Sequence, residues 1–171
     1  MKNRLSQQIK FIKEIDKLKS VDRMSLLING SRRENTAEHS WHFALMVSVL
    51  AEHAEGDVDV GKTMKMALVH DIVEIDAGDT YCYDEAANSD KEDREIAAAK
   101  RIFGILPDDQ GSEIWQLWKE FEEGKTAEAK YARAIDRLNP FMLNFYSGGK
   151  PWAENRITKN QVMKRMGEIK I

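Results

Sequence analysis

The stretch from Ala67 to Asp79 constrains the fold of this chain most strongly, because it places three polar groups on an otherwise apolar segment. An α-helix turns by about 100° per residue, so His70, Asp71 and Glu74 fall within one arc of roughly 100°. A solvated helix would carry Lys, Arg and Glu on its open face. The pattern therefore predicts a core helix whose imidazole and carboxylates are at least half buried and need a cation or hydrogen-bond partners.

Helical periodicity recurs along the rest of the chain, and no stretch alternates apolar and polar residues for long enough to predict a strand. The predicted helices cover residues 5–18, Asn35 or Thr36 to about Ala54, about Asp59 to Ile75, a segment after Ser89, residues 114–121, Thr126 to Asn139 and residues 158–167. Asn35 with Glu38, and Ser89 with Glu92, resemble capping boxes, and residues 80–88 and 147–151 are predicted loops. Pro140 predicts a kink or a new start. The sequence thus predicts an all-α fold of about six to eight helices in a single domain over residues 1–171.

Composition excludes several classes of function. The net charge of -3 and the pI near 5.9 leave no basic excess for binding a nucleic acid polymer. The longest apolar run, Phe43 to Ala51, is far short of the ~20 residues that a membrane span needs. The single cysteine, Cys82, and an N-terminus without an apolar run predict a protein of the reducing cytoplasm.

The His70-Asp71 pair predicts a metal site. An imidazole nitrogen next to a carboxylate oxygen suits a divalent transition metal better than calcium, and Glu74 can face the same cavity. Two ligands are too few. The chain has only four histidines, so the other donors must come from His39, His42, His53 and the acids.

Each remaining candidate has a plain structural alternative. His39 lies in the first turn of the central helix, beside Trp41, which we expect to face the core; it is either a metal ligand or a hydrogen-bond partner of the open helix end. We expect His42 to be packed and His53 to be solvated. Asp136, on its own, is best interpreted as an ion-pair partner of Arg133 three residues earlier.

Taken together, His39, His70-Asp71 and Asp136 form a pattern, with Ala-Leu-Val-His-Asp at its centre and Lys-Glu-Asp-Arg-Glu further along. This pattern resembles the HD-domain metal-dependent phosphohydrolases and, within them, the bacterial 5'-deoxynucleotidase group, over about Leu18 to Tyr146. The resemblance implies an HD-type helical domain around one central divalent metal ion, which is Mn, Co, Fe, Zn or Mg. The implied metal ligands are His39, His70, Asp71 and Asp136.

The resemblance also assigns roles around the metal. The matching glutamate, Glu74, assists the attacking water, and the aspartate of the Gly-Asp pair, Asp79, contacts the sugar and counts with Glu74 as catalytic. Thr80 follows as a further substrate contact. The phosphate-binding candidates are three arginines, Arg23, Arg32 and Arg33, of which Arg23 fits the family's Leu-Lys-x-Val-x-Arg pattern.

One departure from the family concerns substrate selectivity. Members of the deoxynucleotidase group usually place a tryptophan close after the arginine, and this chain has Met24-Ser25-Leu26 there. Base or sugar selectivity is therefore the least determined property. The four histidines leave no second set of ligands, so we expect one metal ion rather than two.

The predicted function is hydrolysis of a small-molecule phosphate ester, a nucleoside or deoxynucleoside 5'-monophosphate, to nucleoside and phosphate. A phosphodiesterase or nucleoside triphosphatase using the same site is the alternative enzyme, and a non-catalytic nucleotide-binding helical module is the alternative of another class. Intact Glu74 and Asp79 argue against the module. The resemblance implies a homodimer, in which Trp115, Trp118, Phe145 and Trp152 serve as an apolar contact or else belong to the core.

Overall fold

A computed structural model describes residues 3–84 and 89–167 of the chain. The helices are α1 Arg4–Ile15, α2 Thr36–Val49, α3 Val60–Val69, α4 Glu74–Ala77, α5 Lys91–Phe103, α6 Asp108–Glu123, α7 Ala127–Tyr146, α8 Lys150–Glu154 and α9 Lys159–Met166. Two 3₁₀ helices cover Asp16–Ser20 and Ala51–His53, and two strands are β1 Asp22–Leu26 and β2 Arg33–Asn35. The all-α prediction is confirmed. None of the helices in these ranges is long and apolar enough to cross a membrane.

A short hairpin precedes the central helix, and its two strands were not predicted. β1 and β2 pair antiparallel, with Asp22 opposite Asn35 and Leu26 opposite Arg33. The strands have five and three residues and carry mostly polar side chains, so no alternating pattern could develop. The hairpin matters because it brings Arg23 and Glu34 beside the start of α2.

The central helix α2 begins as the sequence predicts. The Asn35 side chain accepts a hydrogen bond from the Glu38 backbone N–H, and the Glu38 side chain accepts one from the Asn35 N–H, which confirms the capping box. The expectation that Trp41 faces the core is wrong, because its side chain is 64% exposed. Leu45 and Val49, one and two turns further on, are exposed on the same face.

The stretch that constrains the fold is not one continuous helix. α3 ends at Val69, residues 70–73 form turns, and α4 begins at Glu74. Within these turns the N–H of Ile72 bonds the carbonyl of Val69, and the N–H of Glu74 bonds that of Asp71. Hydrogen bonds between residues three apart, as in a 3₁₀-helix, wind the backbone more tightly than the four-residue spacing of an α-helix does. The predicted single helix to Ile75 is therefore wrong, and the turns set the directions of the polar side chains.

Several further boundaries differ from the prediction; α6, for example, begins at Asp108 rather than at residue 114. α7 continues through Pro140 to Tyr146, although this proline has no N–H to donate to the carbonyl of Asp136. The N-cap of α5 is Asp90, one residue later than the predicted Ser89. The predicted loop at 147–151 contains the start of α8. In the predicted loop 80–88, residues 80–84 have no helix or strand, and residues 85–88 lie outside the described ranges.

Two hydrophobic clusters form the core. One joins α2, α3, α6 and α7 through Phe43, Met66, Phe121 and Ile135, and the other joins α1, α3, α5 and α6. Trp118 is buried in the second cluster. Of the two interpretations of this residue, core packing is therefore correct and a dimer contact is not. The polar groups of the site lie beside Phe43 and Phe121.

Candidate metal centre and adjoining cleft

Three side chains from three parts of the chain meet at one point. His39 on α2, His70 directly after α3 and Asp136 on α7 each offer a ligand atom, and these atoms lie within 4.8 Å of one another. Asp136 Oδ1 is 3.1 Å from His39 Nε2 and 3.6 Å from His70 Nε2. The structure thus brings together residues that the chain separates by up to 97 positions.

Asp71 lies against the same group. Its Oδ2 is 2.9 Å from His70 Nε2 and 3.7 Å from His39 Nε2. All four side chains of the predicted ligand set are therefore neighbours. The tight turn over residues 70–73 accounts for this, because it turns both members of the His-Asp pair toward the same point.

Aromatic packing and one backbone bond fix the two imidazoles. The His70 ring contacts the rings of Phe43 and Phe121, with centroids 5.1 and 4.9 Å away, and the His39 ring lies 5.9 Å from Phe43. His70 Nδ1 is 2.9 Å from the carbonyl oxygen of Ala67. A hydrogen bond there places the proton on Nδ1 and leaves Nε2 with a free lone pair toward the group.

The group fits a divalent metal ion. His70 Nε2 is buried and has no hydrogen-bond partner among the described residues, although it faces two carboxylates. Two imidazole nitrogens with carboxylate oxygens form the mixed donor set that first-row transition metals favour. This cluster of His39, His70 and Asp136 can therefore hold a metal.

Without a metal, the histidines and aspartates compensate one another electrostatically. Burial and the Arg23 charge lower the pKa of His39 to about 4. Burial also opposes protonation of His70, but the charges of Asp71 and Asp136 outweigh it and raise its pKa to about 10. The pKa values of both aspartates are lowered, since their histidine contacts overcome the cost of burial. The negative charges that surround the two imidazoles thus favour a cation at this position.

Glu74 is buried beside this group but is not part of it. Its Oε2 accepts a 3.0 Å hydrogen bond from the Thr36 hydroxyl, and the Thr36 hydroxyl also lies 3.2 Å from the carbonyl of Val21. Burial, followed by the charge of Asp71, raises the pKa of Glu74 well above its ordinary value. A carboxyl group with a raised pKa takes up a proton more readily than an ordinary carboxylate does.

Arg23 is surrounded by carboxylates. Its Nη1 donates a 2.7 Å hydrogen bond to Asp71 Oδ2, and it lies 3.6 Å from Asp79 Oδ1 and 3.8 Å from Glu74 Oε2. Burial lowers the pKa of Arg23, but the carboxylates outweigh this and raise it. For the acid Asp79, burial has the opposite effect and raises the pKa, and the positive charge of Arg23 partly offsets this rise. Arg23 is therefore the fixed positive charge of a mainly anionic site.

A cleft opens from this site toward α7, α8 and α9. Together with the open solvent at its mouth, it has a volume of about 660 Å³. Arg23, Asp79, Thr80 and Asp136 line one part of it. The remaining lining is rich in aromatic and basic side chains, namely Tyr81, Tyr83, Arg137, Phe141, Trp152 and Arg165.

Two of the predicted phosphate ligands lie outside that cleft lining. Arg32 pairs with Glu38, its Nη1 lying 2.8 Å from Oε2, and its side chain is half exposed. Arg33 donates to the carbonyl of Met24 at 2.8 Å and lies 3.9 Å from Glu154. Thr80 lines the cleft, and its hydroxyl is 3.4 Å from Arg94 Nη2. Their roles in substrate binding remain predictions.

The structure also decides between the alternatives for Asp136, His42 and His53. Arg133 donates to the backbone carbonyls of Phe121 and Glu122, whereas Asp136 contacts the histidines. His42 is partly buried and stacks on Trp41, and His53 is exposed.

Sequence reasoning missed several residues of the site. Thr36 and Glu34 lie on either side of the N-cap residue Asn35. Because Glu34 directly follows Arg32-Arg33, the sequence suggested that Glu34 belongs to a solvated run of charged residues. The cleft aromatics belong to segments far apart in sequence, so their proximity left no local pattern. A cue for Glu34 was its place immediately before a capping box, where the chain enters the core.

The fold and the site define an all-α domain with a cluster of buried histidines and partly buried aspartates. A family model described as HD domain matches residues 15–170, and the chain belongs to this family. Among curated relatives, the human 5'-deoxynucleotidase HDDC2 is 31% identical over 130 residues, covering 75% of this chain. The Dictyostelium discoideum 5'-deoxynucleotidase HDDC2 is 29% identical over 161 residues, covering 90% of this chain and 84% of that protein.

Solved structures agree with this membership. The chain is similar to a crystal structure described as a predicted metal-dependent phosphohydrolase from Magnetospirillum magnetotacticum, with a TM-score of 0.92 and 51% identity, covering 97% of this chain and 83% of that one. A conserved hypothetical protein from Pyrococcus furiosus gives a TM-score of 0.67 at 28% identity, covering 94% and 98% of the two chains. The chain spans 62% of the length of the human and bovine relatives.

Proposed function

We propose that this protein is a metal-dependent phosphomonoesterase that hydrolyses deoxynucleoside or nucleoside 5'-monophosphates to nucleoside and phosphate. The observation that carries the proposal is the cluster of His39, His70 and Asp136, which adjoins an open cleft lined by polar, basic and aromatic side chains. The names of the curated relatives, 5'-deoxynucleotidases, supply the substrate class.

Four side chains would hold the metal: His39, His70, Asp71 and Asp136. When bound, the divalent ion supplies Lewis-acid polarisation of a phosphoryl oxygen and lowers the pKa of a water. The burial of the two imidazoles and their contacts with Phe43 and Phe121 keep bulk water from that side.

Glu74 would take the proton of the attacking water. Its carboxylate lies beside Asp71 on the following turn, and the Thr36 hydroxyl holds one of its oxygens. A fixed carboxylate with a raised pKa is more basic than an ordinary carboxylate, which suits a general base.

Arg23 is the arginine that we propose for the phosphate, because it lines the cleft together with Asp136, whereas Arg32 and Arg33 do not. Its guanidinium matches phosphate geometry. Asp79 and Thr80 follow on the same edge of the cleft and would contact the sugar.

The base would occupy the aromatic part of the cleft. Trp152 and Phe141 have ring centroids 5.7 Å apart there, and Met24 lines the same cleft. We therefore propose that Trp152 offers the aromatic surface that the family's tryptophan would supply close after the arginine, where this chain has Met24-Ser25-Leu26.

Trp152→Ala is expected to raise KM for a deoxynucleoside 5'-monophosphate about tenfold and to change kcat little, since stacking on an aromatic side chain contributes about 1–3 kcal/mol per base. KM for deoxyribose 5-phosphate, which has no base, should stay the same. The matched control is Trp41→Ala, which removes an exposed tryptophan outside the cleft lining. An equal rise in KM for both substrates would contradict the stacking role.

The activity itself is tested with purified protein stripped of metal and reloaded with Mn²⁺, Co²⁺, Zn²⁺, Fe²⁺ or Mg²⁺. We expect inorganic phosphate and nucleoside from a panel of deoxy- and ribonucleoside monophosphates. No phosphate from any substrate and metal would overturn the proposal. The same protein is also incubated with nucleoside triphosphates and with a dinucleotide. Pyrophosphate or triphosphate released from a nucleoside triphosphate, or a nucleotide released from the diester, would favour the alternative enzymes, and tight nucleotide binding without turnover would favour the binding module.

We also propose that the protein acts in the cytoplasm and as a homodimer. The exposed free thiol of Cys82 suits a reducing compartment. Exposed Trp41, Leu45, Val49 and Phe145 supply apolar surface on α2 and α7. Light scattering of the full chain at several concentrations tests the dimer, and a monomer at all of them would refute it.

A further inference from the structure

Glu34 is a buried carboxylate with no role so far. It lies at the middle of β2 and is only 2% exposed. Its Oε2 has no hydrogen-bond partner among the described residues, but it is 3.7 Å from His39 Nδ1 and 3.9 Å from Arg23 Nε. A buried carboxyl oxygen without a hydrogen bond is costly, so this position points to a role for Glu34.

His39 presents the complementary problem. Its Nε2 faces Asp136 and Asp71, whereas its Nδ1 is buried without a hydrogen-bond partner among the described residues. The two atoms without partners, one on each residue, therefore face each other. A shift of less than an ångström would bring their 3.7 Å separation within hydrogen-bond distance.

His70 illustrates what such a contact does. Its Nδ1 lies 2.9 Å from the carbonyl oxygen of Ala67, which directs Nε2 to the cluster. Histidines that bind metals usually donate their other ring N–H to a carboxylate or a backbone carbonyl, which fixes the tautomer and the ring orientation. His39 has no backbone carbonyl among its described hydrogen-bond partners, and the carboxylate of Glu34 stands in the corresponding place.

We propose that Glu34 is the positioning residue of His39: it accepts the Nδ1–H hydrogen bond that holds Nε2 toward the metal ligands. This inference rests on the proposed metal site and adds a residue outside the ligand set. The same carboxylate lies beside Arg23, so it also ties the arginine of the cleft to the histidine of the cluster. The hairpin thereby has a functional reason to be present.

The first test is the affinity for Zn²⁺ and Co²⁺, measured by competition with a chelating dye. Glu34→Gln should weaken metal binding by about 10–100-fold, the usual effect of losing an outer-shell partner. Glu34→Ala should weaken it further, since the amide oxygen of Gln can still accept a hydrogen bond. At saturating Co²⁺, the visible absorption spectrum of both variants should differ from that of the wild type.

The matched control is Glu95→Gln, which removes a carboxylate that is also buried but pairs with Lys91 at 3.4 Å. Its metal affinity and Co²⁺ spectrum should match those of the wild type. If Glu34 only neutralised Arg23, the Glu34 variants would keep wild-type metal affinity and spectrum, and the inference would be overturned.

A second measurement needs no variant and decides the matter if the Glu34 variants do not fold. In the Zn²⁺-loaded wild type, long-range ¹H–¹⁵N spectra should show His39 protonated at Nδ1, with a proton that exchanges slowly with water. A His39 that binds Zn²⁺ through Nδ1, or whose Nδ1 proton exchanges freely, would overturn the inference. A wild type that binds no metal would instead overturn the proposed function, so the two failures are distinguishable.

Discussion

Glu74→Gln is expected to lower kcat for phosphate release by about 10²–10⁴-fold while the protein keeps its metal. The amide has the size of the carboxylate and can still accept the hydrogen bond from Thr36, but it cannot take a proton. The loss should therefore fall on turnover, with little change in KM. Single-turnover phosphate release and metal analysis of the same sample measure the two effects.

The control for this variant is again Glu95→Gln, because it neutralises a buried carboxylate on α5 that lines no part of the cleft. It should retain wild-type turnover. Two results would contradict the assigned role of Glu74: unchanged turnover in the variant, or metal loss parallel to the loss of activity. The second result would make Glu74 a ligand instead.

The direction of the Glu74 pKa supports this choice of residue over Asp71. Both carboxylates are near the histidines, but Asp71 contacts His70 and Arg23, so its pKa is lowered and it remains an anion. Glu74 is buried and feels the negative charge of Asp71, so its pKa is raised. Two carboxyl groups with opposite pKa shifts in one site divide into a ligand and a proton carrier.

The sequence was sufficient for the parts of the site that local spacing determines. The capping box at Asn35 fixed the start of α2, and this start places His39 on the buried face with Phe43. The His70-Asp71 pair could be recognised because these polar residues lie on an otherwise apolar segment. Asp136 was different, because an aspartate three residues after an arginine normally predicts an ion pair, and only the family pattern reversed that interpretation.

The remaining parts of the site depend on tertiary contacts that leave no periodic signal. The strands of the hairpin are too short and too polar to alternate, so the place of Glu34 beside His39 was hidden. Residues 70–73 have the amino-acid composition of a helix, yet their hydrogen bonds join residues three apart and form tight turns. These turns lie where three parts of the chain bring polar side chains together. Local propensity yields to tertiary packing most often at such functional positions.

Asp136→Asn is the variant expected to remove the metal altogether. Its Oδ1 faces both His39 Nε2 and His70 Nε2, so the substitution replaces a proposed anionic ligand with a neutral amide at the centre of the cluster. Metal affinity should fall by far more than the ~10–100-fold that follows loss of an outer-shell partner, enough to leave the site empty at a metal concentration that saturates the wild type. Turnover should fall by about 10³-fold, because several kcal/mol of transition-state stabilisation depend on the ion.

Chelation provides the readout that separates a lost ligand from a damaged fold. In the wild type with metal at about a hundredfold excess over Kd, binding contributes about 2.7 kcal/mol, so a chelator should lower Tm by about 5–10 °C. Asp136→Asn should show no such decrease, because it has no metal to lose. Asp109→Asn, which removes an exposed carboxylate paired with Arg4, should respond to the chelator as the wild type does. A chelator-sensitive Tm in Asp136→Asn would mean that Asp136 is not required for metal binding, and the ligand set would then reduce to His39, His70 and Asp71.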